Sequence, residues 1–204
     1  LAEQLGDVDD ARDLYGKSLE ADPTDVVALR ALRRSALLQS DWPRLAELFE
    51  MEASLDLSDW ERATAFTGLA ELRLSRMDDT AGAEKAALAA LEAQPASIAA
   101  SLLLSEARWR QGKGNEALAL FAETRELWDD PDARAALAIE EARTKESAGD
   151  RQGAHDLFAW ANEVDPEALD GWFGRARTSS RKDADPKGAV EALETIAAYC
   201  EGPL

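Results

Sequence analysis

The sequence predicts an all-α solenoid of antiparallel helix pairs, and three observations carry that reading. First, a phrase returns at near-constant internal spacing. Gly6-Asp7, Ala11, Tyr15, Leu19 and Asp22-Pro23 reappear as Gly149-Asp150, Ala154, Phe158 and Asp165-Pro166. Gly112, Ala117 and Phe121 form a third copy, and Ala83, Ala90-Leu91 and Gln94-Pro95 a weaker fourth. Second, Pro95, Pro131 and Pro166 lie 36 and 35 residues apart, and Pro23 lies 72 residues before Pro95. A period in the mid-thirties with a small residue, an aromatic and a closing Asp-Pro marks repeated helix–turn–helix units. Third, Ala dominates a hydrophobic content of 46%, while aromatics, Val and Ile are scarce. That composition favours helix over strand.

The elements follow in order. Leu1 to Leu5 read as the tail of a helix, and a start at Leu1 inside a repeat points to a piece of a longer protein. Asp7 to Ala21 form the first full helix, with Val8, Ala11, Leu14-Tyr15 and Ser18-Leu19 at helical spacing. Asp22-Pro23-Thr24-Asp25 supplies a turn and an N-cap for a helix over 26–39. Asp41 caps the next helix, Pro43 sits in its first turn where a missing N–H costs nothing, and that helix ends near Ser54. Ser58 and Glu61 form a capping box for a helix over 59–76. The expected proline slot at Leu57 lies 38 residues before Pro95, so an extra helical turn or a longer loop is expected around Met77 to Thr80. Helices then follow at 97–111, 115–128, 132–148, 150–164, 167–181 and 186–199, with Asp130-Pro131 and Asp185-Pro186 as cap-plus-proline starts. The sum is about eleven helices, or five and a half repeats, in one domain over 1–204 that is expected to continue beyond one or both ends.

Charge and composition narrow the function. A net charge of −18 argues against a phosphate backbone as ligand, because nucleic-acid binding needs clustered Lys and Arg. The single Cys200 allows neither an internal disulfide nor a zinc site with paired thiolates. No stretch approaches the roughly 20 apolar residues of a membrane span, and no signal peptide is visible. A cytoplasmic location is the expectation. The excess of Arg over Lys and the abundance of Ala point to a bacterium with a GC-rich genome.

Nothing reads as an enzyme. His155 is the only histidine, and its neighbour Asp156 must point elsewhere on a helix. Asp129-Asp130-Pro131-Asp132 lacks the alternating oxygens and the glycine of a Ca²⁺ loop. Gln111-Gly112-Lys113-Gly114 lacks the strand and the Gly-Lys-Ser/Thr ending of a phosphate loop. No catalytic residue, cofactor site or metal site is expected.

These residues resemble the tetratricopeptide repeat family over nearly the whole chain. Gly6, Gly112 and Gly149 match its turn, and Ala11, Ala83, Ala117 and Ala154 its small-residue slot. Tyr15, Phe49, Phe121 and Phe158 match its aromatic slot, and Pro23, Pro95 and Pro166 its terminal proline. Trp172, Leu29 and Ala138 fall at the large apolar slot of the first helices. Leu32-Arg33, Leu104-Ser105 and Glu141-Ala142 replace the usual mid-helix Leu-Gly pair. The resemblance implies a right-handed superhelix, with the first helix of each pair lining a concave groove and the second helix outside.

Sorting charge by helix then becomes informative. The first helices (26–39, 59–77, 98–111, 132–148 and 168–182) hold 15 basic and 9 acidic residues, a balance of +6. The remaining 8 basic and 32 acidic residues give −24. A basic groove inside an acidic shell would grip carboxylates through the planar fork of Arg. Arg30 with Arg34, Arg73 with Arg76, and Arg177 with Arg181 should share faces, with Arg110 and Arg143 between them and Trp109 as aromatic anchor. The expected partner is a protein segment, extended or helical and acidic, held by a non-catalytic scaffold. Three other readings stand beside it. The arginines could answer helix dipoles and neighbouring acids. The apolar ends, Leu1 to Leu5 and Val190, Leu193, Ile196-Ala197 and Tyr199-Cys200, could drive self-association into homo-oligomers. The chain could also be a regulatory domain of an enzyme encoded elsewhere in the parent chain.

Overall fold

The computed structural model describes residues 8–179 and 186–200. Among the described residues run eleven helices and no strand. They are α1 (Val8–Ala21), α2 (Val26–Leu38), α3 (Trp42–Ala53), α4 (Asp59–Ser75), α5 (Thr80–Ala93) and α6 (Ile98–Arg110), then α7 (Gly114–Arg125), α8 (Pro131–Ser147), α9 (Arg151–Val164), α10 (Leu169–Ser179) and α11 (Pro186–Cys200). Where an extra helical turn or a longer loop is expected around Met77 to Thr80, α4 ends at Ser75 and α5 starts at Thr80; α4 has 17 residues, as has α8, against 13 in α2 and 13 in α6.

The starts of the helices are set locally. The first backbone N–H groups of a helix have no internal partner, so a short polar side chain must accept them. Asp25 accepts from Val27 and Ala28, Asp41 from Arg44, Asp79 from Gly82, Ser97 from Ala100 and Asp150 from Gly153. Ser58 and Glu61 complete the capping box of α4. Asp130 holds the N-cap position of α8 without a side-chain bond, and Pro131 opens that helix. Leu1 to Leu5, Gly6-Asp7 and the Asp185 cap lie outside the described residues. Among the described residues, each turn between a first and a second helix contains one left-handed residue: Ser40 (φ 56°), Asp78 (φ 52°), Gly112 (φ 78°) or Gly149 (φ 89°).

The sequence reads as one array, and the contacts group it into two compact units, Leu1–Gly112 and Lys113–Leu204. In the first unit each of α1 to α6 packs on the next. Leu29, Leu48, Leu69 and Leu104 are its large fully buried side chains, and Ala83 packs with Leu74 and Ala107. Helices α4 and α6 also pack directly, and α2 and α4 pack less closely than that pair. In the second unit Ala135, Ala138, Ile139 and Ala142 of α8 meet Ala154, Phe158 and Ala161 of α9. Trp172 of α10 packs with Ala192 and Ile196 of α11, and its indole N–H donates to the Pro166 carbonyl at 2.9 Å. The small-residue slots Ala11, Ala83, Ala117 and Ala154 are all buried. Alanine there lets helix axes approach closely at no side-chain entropy cost.

Candidate peptide-binding groove

A groove of about 740 Å³ opens in the first unit between α2 and α4 over α3. Helical periodicity assembles its three walls. Arg30, Arg34 and Leu37 form the exposed edge of α2, Trp42, Leu45, Phe49 and Glu52 run along one face of α3, and Glu61, Ala65, Gly68, Leu72 and Ser75 along α4. Arg33, Arg76, Trp60, Thr64 and the exposed Glu71 complete the lining. Gly68 admits the floor: a Cβ there would lie 2.5 Å from Cε1 of Phe49.

The electrostatics are unequal along the groove. Glu52 is buried, its side chain only 3% exposed, and it is gripped by two arginines. Arg30 donates from Nε to its Oε1 at 2.8 Å, and Arg33 donates from Nη1 to its Oε2. The Arg33 guanidinium stacks 3.8 Å from the centroid of Phe49. A second nitrogen of Arg30 crosses the groove to Glu61 on α4, at 3.2 Å. Ser58 first and Arg30 second hold the Glu61 carboxyl below the usual carboxylate range. At the other end Arg34 and Arg76 have no carboxylate partner among the described residues. Arg76 instead lies 5.4 Å from the ring centroid of Trp42. Trp60 and Leu37 are 66% and 55% exposed at the rim.

Of the candidate residues, Arg30, Arg34 and Arg76 come together here. Arg73 does not join Arg76. It pairs with Glu50 of α3 and lies 3.6 Å from Asp79, and it donates to the Gly82 carbonyl at 3.0 Å. Arg110 bonds Glu106 one turn back and the Leu74 carbonyl. Trp109 is half-buried on α6. In the second unit Arg143 pairs with Glu140 and with Asp170 at 2.9 Å, and Arg177 pairs with Glu146 at 2.6 Å. Arg181 lies outside the described residues. The acids that answer these arginines, and Trp42 and Trp60 as groove residues, were not singled out by spacing.

Other chemistry-bearing residues are engaged structurally. Nδ1 of His155 lies 3.0 Å from Oγ1 of Thr178 on α10, while Asp156 accepts from Gln152 at 2.9 Å. Among the described residues no three His, Cys, Asp or Glu side chains could hold a metal, and no helix is long and apolar enough to cross a membrane.

No protein-family model and no curated protein matches the chain. Solved structures do. MamA aligns with a TM-score of 0.62 at 22% identity, covering 81% of this chain and 93% of that one. YrrB, described as a TPR protein with an unusual peptide-binding site, aligns at 0.60 and 18%, covering 86% and 87%. The C-terminal part of a TPR repeat-containing protein from Cytophaga hutchinsonii aligns at 0.68 and 15%, covering 98% and 76%. At these identities the likeness is one of fold, and it agrees with the capped helix pairs and the buried small-residue slots. The chain has the tetratricopeptide-repeat fold.

Proposed function

We propose that this chain is a non-catalytic protein-interaction scaffold, and that the groove between α2 and α4 holds an acidic segment of a protein partner. One observation carries the reading: Arg34 and Arg76 line an open groove beside Trp42, Leu37 and Trp60 and make no ion pair among the described residues, with Glu71 the one further carboxylate in the lining besides the engaged Glu52 and Glu61. A volume of about 740 Å³ lies within the roughly 300–1,000 Å³ of ligand pockets, which suits a short run of residues. Exposed Arg–carboxylate pairs contribute only about 0.2–1 kcal/mol each, so the aromatic and leucine rim must supply the rest. The peptide-binding site named for YrrB is consistent with such a role on this fold.

The test is fluorescence anisotropy with a short labelled peptide rich in Glu and Leu, against the same peptide with Gln for Glu. The acidic peptide should bind more tightly. The double variant Arg34→Glu, Arg76→Glu should weaken it about tenfold or more while keeping the helical circular dichroism spectrum and lowering the melt only slightly. Equal binding of the two peptides, or an unchanged Kd in the double variant, would overturn the reading.

A further inference from the structure

We propose that Glu61 is an internal stand-in for the partner's carboxylate, seated on Arg30 until an acidic segment replaces it. This rests on the groove reading above and makes Glu61 the residue that sets how acidic a segment must be to enter.

Arg30 is held from two sides with different strengths. Its Nε bond to Glu52 is short and joins a buried carboxylate. Breaking it would leave charge stranded in a low-dielectric site. Its Nη2 bond to Glu61 is longer, at 3.2 Å, and joins side chains 50% and 31% exposed. A pair of that kind is readily exchanged. Glu61 also has somewhere to go. Its Oε2 already accepts the Ser58 hydroxyl at 2.8 Å and the Ser58 N–H at 3.3 Å, while only Oε1 faces Arg30. Losing Arg30 therefore leaves the Glu61 carboxylate hydrogen-bonded and partly solvated. Arg30 and Arg34 lie one helical turn apart on the same edge of α2, so a segment that reaches Arg34 brings its next carboxylate to Arg30. The bridge spans the groove from α2 to α4. An incoming acid exchanges one Arg–carboxylate pair for another, and its charge is the selecting feature.

The variant Glu61→Gln tests this directly. Glutamine at the third helical position still serves a capping box, so α4 keeps its start, and a far-UV circular dichroism spectrum matching wild type, with only a small drop in melting temperature, verifies it. Glu61→Gln should bind the Glu- and Leu-rich peptide about two- to fivefold more tightly than wild type, and should leave binding of the Gln-substituted peptide unchanged. Glu47→Gln removes the same charge from the exposed Arg44–Glu47 pair outside the groove and should change neither. If Glu61→Gln binds the acidic peptide no more tightly than wild type, or gains only as much as Glu47→Gln, the stand-in is overturned. Sensitivity to the Arg34 and Arg76 reversal would then leave the groove reading intact. Absence of binding in wild type and Glu61→Gln alike would overturn both.

Discussion

A glycine inside a helix costs about 1 kcal/mol relative to alanine, so each one asks for a reason. At Gly174 the reason is Phe158: a Cβ would lie 2.5 Å from the ring's Cζ, and that ring is fully buried. Gly68 receives Phe49 in the same manner. The aromatic slots were legible because they recur at the repeat period. Their glycine partners were not, although two mid-helix glycines without a turn to make were a usable signal. We expect Gly174→Ala to destabilise by about 1–2 kcal/mol net, overpacking outweighing the propensity gain. Urea titration measures it, and a raised midpoint would show that the ring has room. Arg73 and Arg76 illustrate a different gap. Three-residue spacing places two side chains on one face only inside a helix. Helix α4 ends at Ser75, and Arg76 is its C-cap with φ −124°, so the two arginines diverge.

Elements begin and end on local chemistry, which is why their bounds could be read from Asp, Ser, Pro and Gly positions. The turns show how far that goes. Gly112 and Gly149 take their left-handed conformation freely, whereas Ser40 and Asp78 hold the same place in the α2–α3 and α4–α5 turns. An L-residue there carries roughly 1–2 kcal/mol of strain, partly offset because glycine loses about 0.5–1 kcal/mol more entropy on folding. Ser40→Gly should therefore stabilise the chain by about 0.5–1 kcal/mol, seen as a higher melting temperature. A lower one would mean that the Ser40 strain is relieved by another contact. Ion pairs between elements were illegible. Arg30 meets Glu52 and Glu61, Arg73 meets Glu50, and Arg177 meets Glu146, each 22 to 31 residues away in sequence. Which acid reaches which arginine depends on how one helix lies on another, and helical spacing alone carries no such information. Among the described residues the basic tally of the first helices is thus largely answered within each unit; Arg34, Arg76 and Arg134 make no ion pair, Arg134 instead lying 5.6 Å from the Trp160 ring centroid.

For the molecule as a whole, a charge of −18 sets two pH effects against each other. Protonation relieves self-repulsion. It also removes acceptors the helices depend on. The Ala28 N–H, then the Ser18 hydroxyl, hold Asp25 below its unfolded value of 3.8, and the Gly153 N–H, then Lys145, do the same for Asp150. Glu61 and Glu146 lie below 4.5, chiefly through Ser58 and through Arg177 respectively. A carboxyl whose folded value is depressed adds stability that is present above its unfolded value and lost as pH falls through the folded one. Melting temperatures followed by circular dichroism should hold steady above about pH 5 and fall below about pH 4. A rise on acidification below that range would show that self-repulsion dominates.

The grip of Glu52 on Arg30 and Arg33 also bears on the entropy of binding. Immobilising a long side chain at an interface costs about 0.5–1.5 kcal/mol, and for these two much of that freedom is surrendered when the chain folds. Arg34, on the same edge of α2, keeps its rotamers until a partner arrives. Neighbouring identical residues would thus meet one ligand on unequal terms, Arg30 as a rigid template and Arg34 as a mobile arm.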